Sequence, residues 1–122
     1  MENLVQKNMW ETYTLAWSNS DALERLKLLE KSVNPDCDYA DPLLQVSGYH
    51  ALSDYMAELQ KSITGIKFVT IAFKTHHNKS LAHWNMVDGH GALLAPGISY
   101  LKHDVHGRLV EMSGFFDPPS AA

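Results

Sequence analysis

The chain is 122 residues long, with 45% hydrophobic and 20% charged residues, a composition that excludes disorder, collagen-like order and a coiled coil. Its 10 Lys and Arg against 14 Asp and Glu leave a formal charge of −4, and the basic residues are scattered singly, so a nucleic-acid partner is not expected. No apolar run reaches the roughly 18 residues that a membrane span needs, and the N-terminus, with Glu2, Lys7 and Glu11, lacks the apolar stretch of a signal peptide. The lone Cys37 has no partner for an internal disulfide, which suits a cytoplasmic protein without membrane contact. The length predicts one domain over residues 1–117, followed by a plain Pro-Pro-Ser-Ala-Ala tail at 118–122.

Through the first half, apolar residues recur at helical spacing. Trp10, Tyr13, Thr14 and Trp17 share one face of a first helix, flanked by Val5, Met9 and Ala16. Ser20 or Asp21 can cap a second helix carrying Ala22, Leu23, Leu26, Leu29 and Val33, which Asn34-Pro35 stops. Short β-like pieces at Cys37–Tyr39 and Leu43–Val46 flank Tyr39-Ala40-Asp41-Pro42, where the proline drives Asp41 out of helical geometry. Ser47-Gly48 opens a third helix with Leu52, Tyr55, Met56, Leu59 and Ile63 on one face, and Gly65 ends it. From there the period changes to two. Ile66–Thr75, Ser80–Val87, Ala92–Lys102 and Arg108–Phe116 read as four strands, joined by turns at Asn78-Lys79, Asp88–Gly91 and Asp104–Gly107. The pattern predicts an α+β fold in which three N-terminal helices pack on one face of a curved antiparallel sheet.

Alternation splits each strand into two faces. The inward sets are Ala82, Trp84 and Met86, then Gly97, Ser99 and Leu101, then Val110, Met112, Gly114 and Phe116, because bulk on some of them sits beside space left by others. Large residues interleaved with small ones either interlock in a filled core or enclose a cavity. The opposite face, with Ile98, Tyr100, Leu109 and Phe115, is too apolar for free solvent, and its burial in a homodimer is expected.

Taken in order, two helices, Tyr39-Ala40-Asp41-Pro42, Ser47-Gly48 before a third helix, His76-His77, Trp84, Gly97-Ile98-Ser99 and His106-Gly107-Arg108-Leu109 with Gly114-Phe115-Phe116 resemble SnoaL-like proteins of the nuclear transport factor 2-like superfamily. The resemblance runs from about residue 4 to residue 117. It implies a cystatin-like α+β roll: a strongly curved sheet forming a cone around a pocket, closed by helices and commonly dimerising through its outer face. The superfamily holds ketosteroid isomerase, polyketide cyclases, scytalone dehydratase and limonene epoxide hydrolase beside protein-binding transport factors, so the fold does not select a function. It implies Asp41 as a pocket carboxylate that accepts a proton. Tyr13 falls at the place of the isomerase's oxyanion-stabilising tyrosine, although the stretch between Tyr13 and Asp41 is longer here. The isomerase's second, protonated acid falls at Ser99, whose hydroxyl can donate one hydrogen bond but lacks that acidity.

The residues themselves leave two readings of Asp41. At the rim of an apolar pocket, desolvation disfavours its charged form and makes it a better proton acceptor. As the residue before a proline in a turn, it bonds nearby backbone amides instead. Trp10 and Trp17 either wall a pocket or fill the core, and Tyr39, Tyr55, Met56, Ala82, Trp84, Gly97, Ser99, Met112 and Phe116 complete the candidate ligand-binding set. The function implied is a cofactor-independent isomerase, cyclase or dehydratase. In it Asp41 abstracts a proton alpha to the carbonyl of a small apolar molecule while Tyr13 steadies the oxyanion. The alternatives are a non-catalytic binder of a hydrophobic ligand and a dimeric interaction domain. No metal is expected, since regular strand geometry points His76 and His77 to opposite faces and no helix carries HxxxH. Cys37 lacks an adjacent base and reads as a buried, inert thiol, and Asp88-Gly89-His90-Gly91 lies between strands without a lysine to cradle phosphate.

Overall fold

The computed structural model describes residues 2–117, so the tail at 118–122 lies outside the described residues. Helices α1 (Glu2–Ala16) and α2 (Ala22–Ser32) come first, then strands β1 (Val33–Asp41) and β2 (Leu44–Ser47) and helix α3 (Tyr49–Ser62). Strands β3 (Lys67–His76), β4 (Lys79–Val87), β5 (Leu93–His103) and β6 (Leu109–Phe115) follow. Of the two candidate caps, Asp21 caps α2: one carboxylate oxygen accepts from the amides of Leu23 at 2.9 Å and Glu24 at 3.1 Å. Such a cap contributes about 1 kcal/mol. The chain just past α1 is held by side chains from the other helices, because backbone carbonyls at a helix end need partners. Gln60 of α3 donates to the carbonyls of Trp17 at 2.8 Å and Asn19 at 3.1 Å. Buried Arg25 of α2 donates to Asn19 O and to Ser53 Oγ of α3, both at 2.8 Å. These bonds fix the backbone that carries the Trp17 indole. Among the described residues no helix is long and apolar enough to cross a membrane.

The six strands form one sheet in the order β2-β1-β6-β5-β4-β3. Strands β3 to β6 make the antiparallel meander predicted from the period of two. Strand β1, antiparallel to β2, runs parallel to β6, so the sheet is mixed and not wholly antiparallel. This strand also begins earlier than the sequence pattern suggests: α2 ends at Ser32, and Asn34-Pro35 lies inside β1 instead of stopping a helix. The β1–β6 register shifts between Val33 and Asp38, so Pro35, which has no N–H to give, falls where the ladder is interrupted. A second shift, in the β5–β6 register, lies between Lys102 opposite Glu111 and His103 opposite Leu109. The extra residue, Val110, reverses the alternation: Leu109, expected on the outer face, is fully buried, and Val110, expected inward, is half-buried.

Most of the inward positions hold, with Ala82, Trp84, Ser99, Leu101 and Met112 buried beneath the helices, while β3 has its own shift between Thr70 and Ala72. The interior has a filled end and a hollow end. Leu29, Val33, Leu52, Met56, Leu101, Leu109 and Met112 pack the filled end, each burial contributing roughly 1.5–3 kcal/mol. Cys37 belongs there too, and burial pushes its thiol above its ordinary range. Further along β4, β5 and β6 the inward positions are Trp84, Ser99 and Gly114, and there the packing opens.

Candidate ligand cavity

The opening is a cavity of about 110 Å³ between α1, α3, the end of β1 and the inward face of the meander. Eight of its sixteen lining residues are aromatic: Trp10, Tyr13, Trp17, Tyr39, Tyr55, Phe68, Trp84 and Phe116. Trp17 is the hub, with ring centroids 5.4 Å from Phe68, 5.6 Å from Tyr39, 5.7 Å from Tyr55 and 6.2 Å from Tyr13. Tilted and edge-on contacts of this kind are the favoured aromatic arrangements. Indole N–H groups fix two of the walls: Trp10 Nε1 donates to Thr70 Oγ1 at 2.9 Å and Trp84 Nε1 to Ser99 Oγ at 3.0 Å. Gly97 stands opposite Trp84 across the β4–β5 ladder, and a Cβ built on it would lie 2.2 Å from Trp84 Cη2. The absent side chain is what allows the indole to lie over β5.

The polar groups of the cavity gather at one end. Half-buried Asp41 closes β1, and both of its carboxylate oxygens are occupied. Oδ1 accepts from the amides of Leu43 at 2.8 Å and Leu44 at 3.3 Å, the bonding expected of a turn residue before proline. Oδ2 accepts from the hydroxyls of Tyr39 at 2.5 Å and Tyr55 at 2.8 Å. Every one of these contacts is with a donor, the surroundings that a carboxylate anion requires. Burial, reinforced by the neighbouring Asp41, pushes the phenols of Tyr39 and Tyr55 well above their ordinary range, so both remain protonated donors.

Tyr13 behaves differently. It is 2% exposed, and burial pushes its phenol up as well. Beside it lies the Trp17 side chain, whose hydrogen bond to the phenol favours the ionised form against that burial. No fully buried side-chain nitrogen or oxygen among the described residues lacks a partner, and with the indole as its neighbour Tyr13 lines the cavity.

Of the residues singled out in the sequence, the structure gathers Asp41, Tyr13, Trp10, Trp17, Tyr39, Tyr55, Trp84, Ser99 and Phe116 around this cavity. Met56, Ala82 and Met112 do not line it, because they lie fully packed at the filled end, and Gly97 is covered by the Trp84 ring. Thr14, Leu43, Leu59, Ile63, Phe68, Met86 and Gly114 line it without having been singled out. Five of these carried a signal: Thr14 shares the face of the first helix with Trp10 and Tyr13, Leu59 and Ile63 extend the apolar stripe of α3, and Met86 and Gly114 belong to inward strand sets. The histidine pair also departs from expectation. His77 leaves the strand with φ +53°, and the two Nδ1 atoms come within 3.2 Å on the exposed surface, not on opposite faces. Among the described residues no group of three or more potential metal ligands occurs.

No protein-family model and no curated protein matches the sequence. Solved structures do match the fold. A proposed isomerase of the SnoaL-like family from Agrobacterium tumefaciens superposes with a TM-score of 0.84 at 24% identity, covering 96% of this chain and 98% of that one. A proposed SnoaL-like polyketide cyclase from Shewanella denitrificans gives 0.72 at 16% identity over 93% and 90% of the two chains. A protein with a cystatin-like fold from Methylobium petroleophilum gives 0.77 at 12% identity over 98% and 80%. The chain therefore has the cystatin-like α+β roll of the SnoaL-like and nuclear transport factor 2-like proteins.

Proposed function

We propose that this chain is a small-molecule-binding protein whose cavity takes a compact organic group and recognises it at the Asp41–Tyr39–Tyr55 cluster. One observation carries the reading: a largely apolar, aromatic cavity has its few polar groups converged at one end, the usual make-up of a ligand site. At about 110 Å³ it is near the size of an engineered cavity, roughly 150 Å³, that admits benzene, so the buried part of the ligand is about one ring in size. Calorimetric titration with cyclohexanol and cyclohexanone tests this. Saturable binding is expected, and Gly114→Val, which builds a side chain toward Asp41 and Ser99, is expected to abolish it while the fold survives. Binding that persists in the filled variant would place the ligand elsewhere.

A second reading, proton transfer, is favoured by Tyr13 lining the same cavity as Asp41. A carboxylate offers about four acceptor positions and all four are taken here, so a substrate would first displace a donor. Tyr55, the less buried of the two phenols, is the one to yield. In this reading Asp41 then takes a proton alpha to a carbonyl and Tyr13 donates to the enolate oxygen. Deuterium exchange into cyclohexanone measures it: Asp41→Asn should slow exchange at least about a hundredfold with affinity nearly unchanged.

The outer face of the sheet completes the proposal. Ile71 and Phe115 are 60% and 62% exposed, with Val69 and Ile98 beside them in an apolar patch that suits a second copy of the chain. Sedimentation at micromolar concentration should show a dimer, and Phe115→Glu a monomer.

A further inference from the structure

The cavity holds one carboxylate and no group to balance it. No lysine, arginine or histidine is among the residues that line it. Asp41 is wrapped in donors, so its charge is accommodated but not neutralised. We propose that the ligand is an organic cation, an N-alkylated ammonium head group seated among the aromatic rings beside Asp41. This rests on the pocket reading above and adds to it the charge and substitution of the ligand.

Three features point the same way. Ring faces attract cations, most strongly where water is excluded, and half of the lining residues here are aromatic. The uncompensated carboxylate adds a Coulombic attraction that low-dielectric walls strengthen, and the same field disfavours an anion. The degree of substitution follows from the hydrogen bonds. A primary ammonium brings three N–H donors that need acceptors, the positions on Asp41 are already filled, and what remains is the weaker acceptor capacity of neutral phenol and hydroxyl oxygens. A fully alkylated head has no such need, and a trimethylammonium group is close to benzene in size, within reach of the space available.

The surface beside the cavity carries the same sign of charge. An outer cleft shares Ile63, Met86 and Phe116 with the cavity, and its lining includes the carboxyl groups of Asp88 and Asp117 against the single imidazole of His90. Asp88 accepts from the amides of His90 at 2.8 Å and Ala92 at 3.0 Å, which holds its carboxyl below the usual carboxylate range and keeps it charged. Acidic groups beside a cavity raise the local concentration of cations there.

Three probes of one shape and different charge decide the matter on the unmodified protein: choline, its neutral isostere 3,3-dimethylbutan-1-ol, and the anion 3,3-dimethylbutanoate. All three tryptophans of the chain line the cavity, so intrinsic fluorescence together with calorimetry reads occupancy directly. Choline is expected to bind at least about tenfold more tightly than the alcohol and the carboxylate not to bind, with methylammonium weaker than tetramethylammonium. In Asp41→Asn the preference for choline over the alcohol should collapse to within about threefold. An alcohol that binds as tightly as choline, or a carboxylate that competes with it, overturns the cationic assignment while leaving the pocket in place. Failure of these probes and of the cyclohexyl probes alike overturns the pocket reading itself.

Discussion

Two polar clusters lie in the interior, one on the inward face of the meander and one between β1 and α3, and they differ in whether their hydrogen bonds close. At the filled end, His103 presents Nδ1 to Gly107 O at 2.8 Å and Nε2 to Ser80 Oγ at 2.7 Å. Gln6 approaches Ser80 and accepts from Thr75 while donating to His77 O. With the ring proton on Nδ1, the serine hydroxyl donates to Nε2, and the histidine is fully satisfied as a neutral side chain. At the hollow end the Asp41 oxygens are also saturated, yet the phenol oxygens of Tyr39 and Tyr55 that donate to them keep acceptor capacity beside the cavity. A Ser–His contact at 2.7 Å resembles a nucleophile and its base, but neither residue lines the cavity or the outer cleft beside it. The carboxylate in the hollow is the cluster that a small molecule can meet. Buried polarity alone does not mark a site; polarity with capacity left over, facing space, does.

The largest effect is expected from breaking the closed cluster. His103→Leu leaves the Gly107 carbonyl and the Ser80 hydroxyl without their partner in the interior, and urea unfolding should show a loss of about 3 kcal/mol. The same residue sets a pH dependence. Burial holds His103 below its ordinary pKa of 6.5, so as pH falls through that value the unfolded chain takes up the proton first. Stability is therefore intact above about pH 6.5 and declines on acidification, and the Tm of His103→Leu should fall less than that of the unmodified protein between about pH 7 and pH 5.

Next in size is Gly97→Ala. Its Cβ collides with Trp84, the indole must shift into the cavity, and the expected outcome is a loss of roughly 1–3 kcal/mol together with loss of ligand binding. The smallest effect sharpens the comparison most. Tyr13→Phe removes a hydroxyl that has only the Trp17 indole for a partner, so stability should change by less than about 1 kcal/mol while affinity for cyclohexanone falls relative to cyclohexane. A large stability loss in that variant would show that the hydroxyl is committed after all and that the two ends do not differ in kind.

Much of this architecture is legible in the order of residues, because it rests on periodicity. The capping Asp21, the apolar stripe of α3 and the inward set Ala82, Trp84 and Met86 are local patterns with local causes. What escapes is what depends on register. The parallel partnership of β1 with β6 is hidden behind Asn34-Pro35, a stop signal in any local window, and becomes possible only because the ladder is interrupted there. Leu109 changes face because one extra residue enters β6, and nothing in the composition of the strand announces it. The candidate site divides along the same line. Asp41 stands out as an acid in an aromatic neighbourhood, and its turn bonding is foreseeable from the proline beside it. That Tyr39, two residues away, and Tyr55, on a helix, meet on the same oxygen is a tertiary fact.

The bond from Tyr55 to Asp41 joins more than two side chains, since it ties α3 to the end of β1 where both border the cavity. A guest that captures the shared oxygen takes over the tether of the helix, so recognition and admission become one event. Residence time would then be governed by how readily a phenol reclaims its place, and two guests of equal affinity can differ widely in how long they stay.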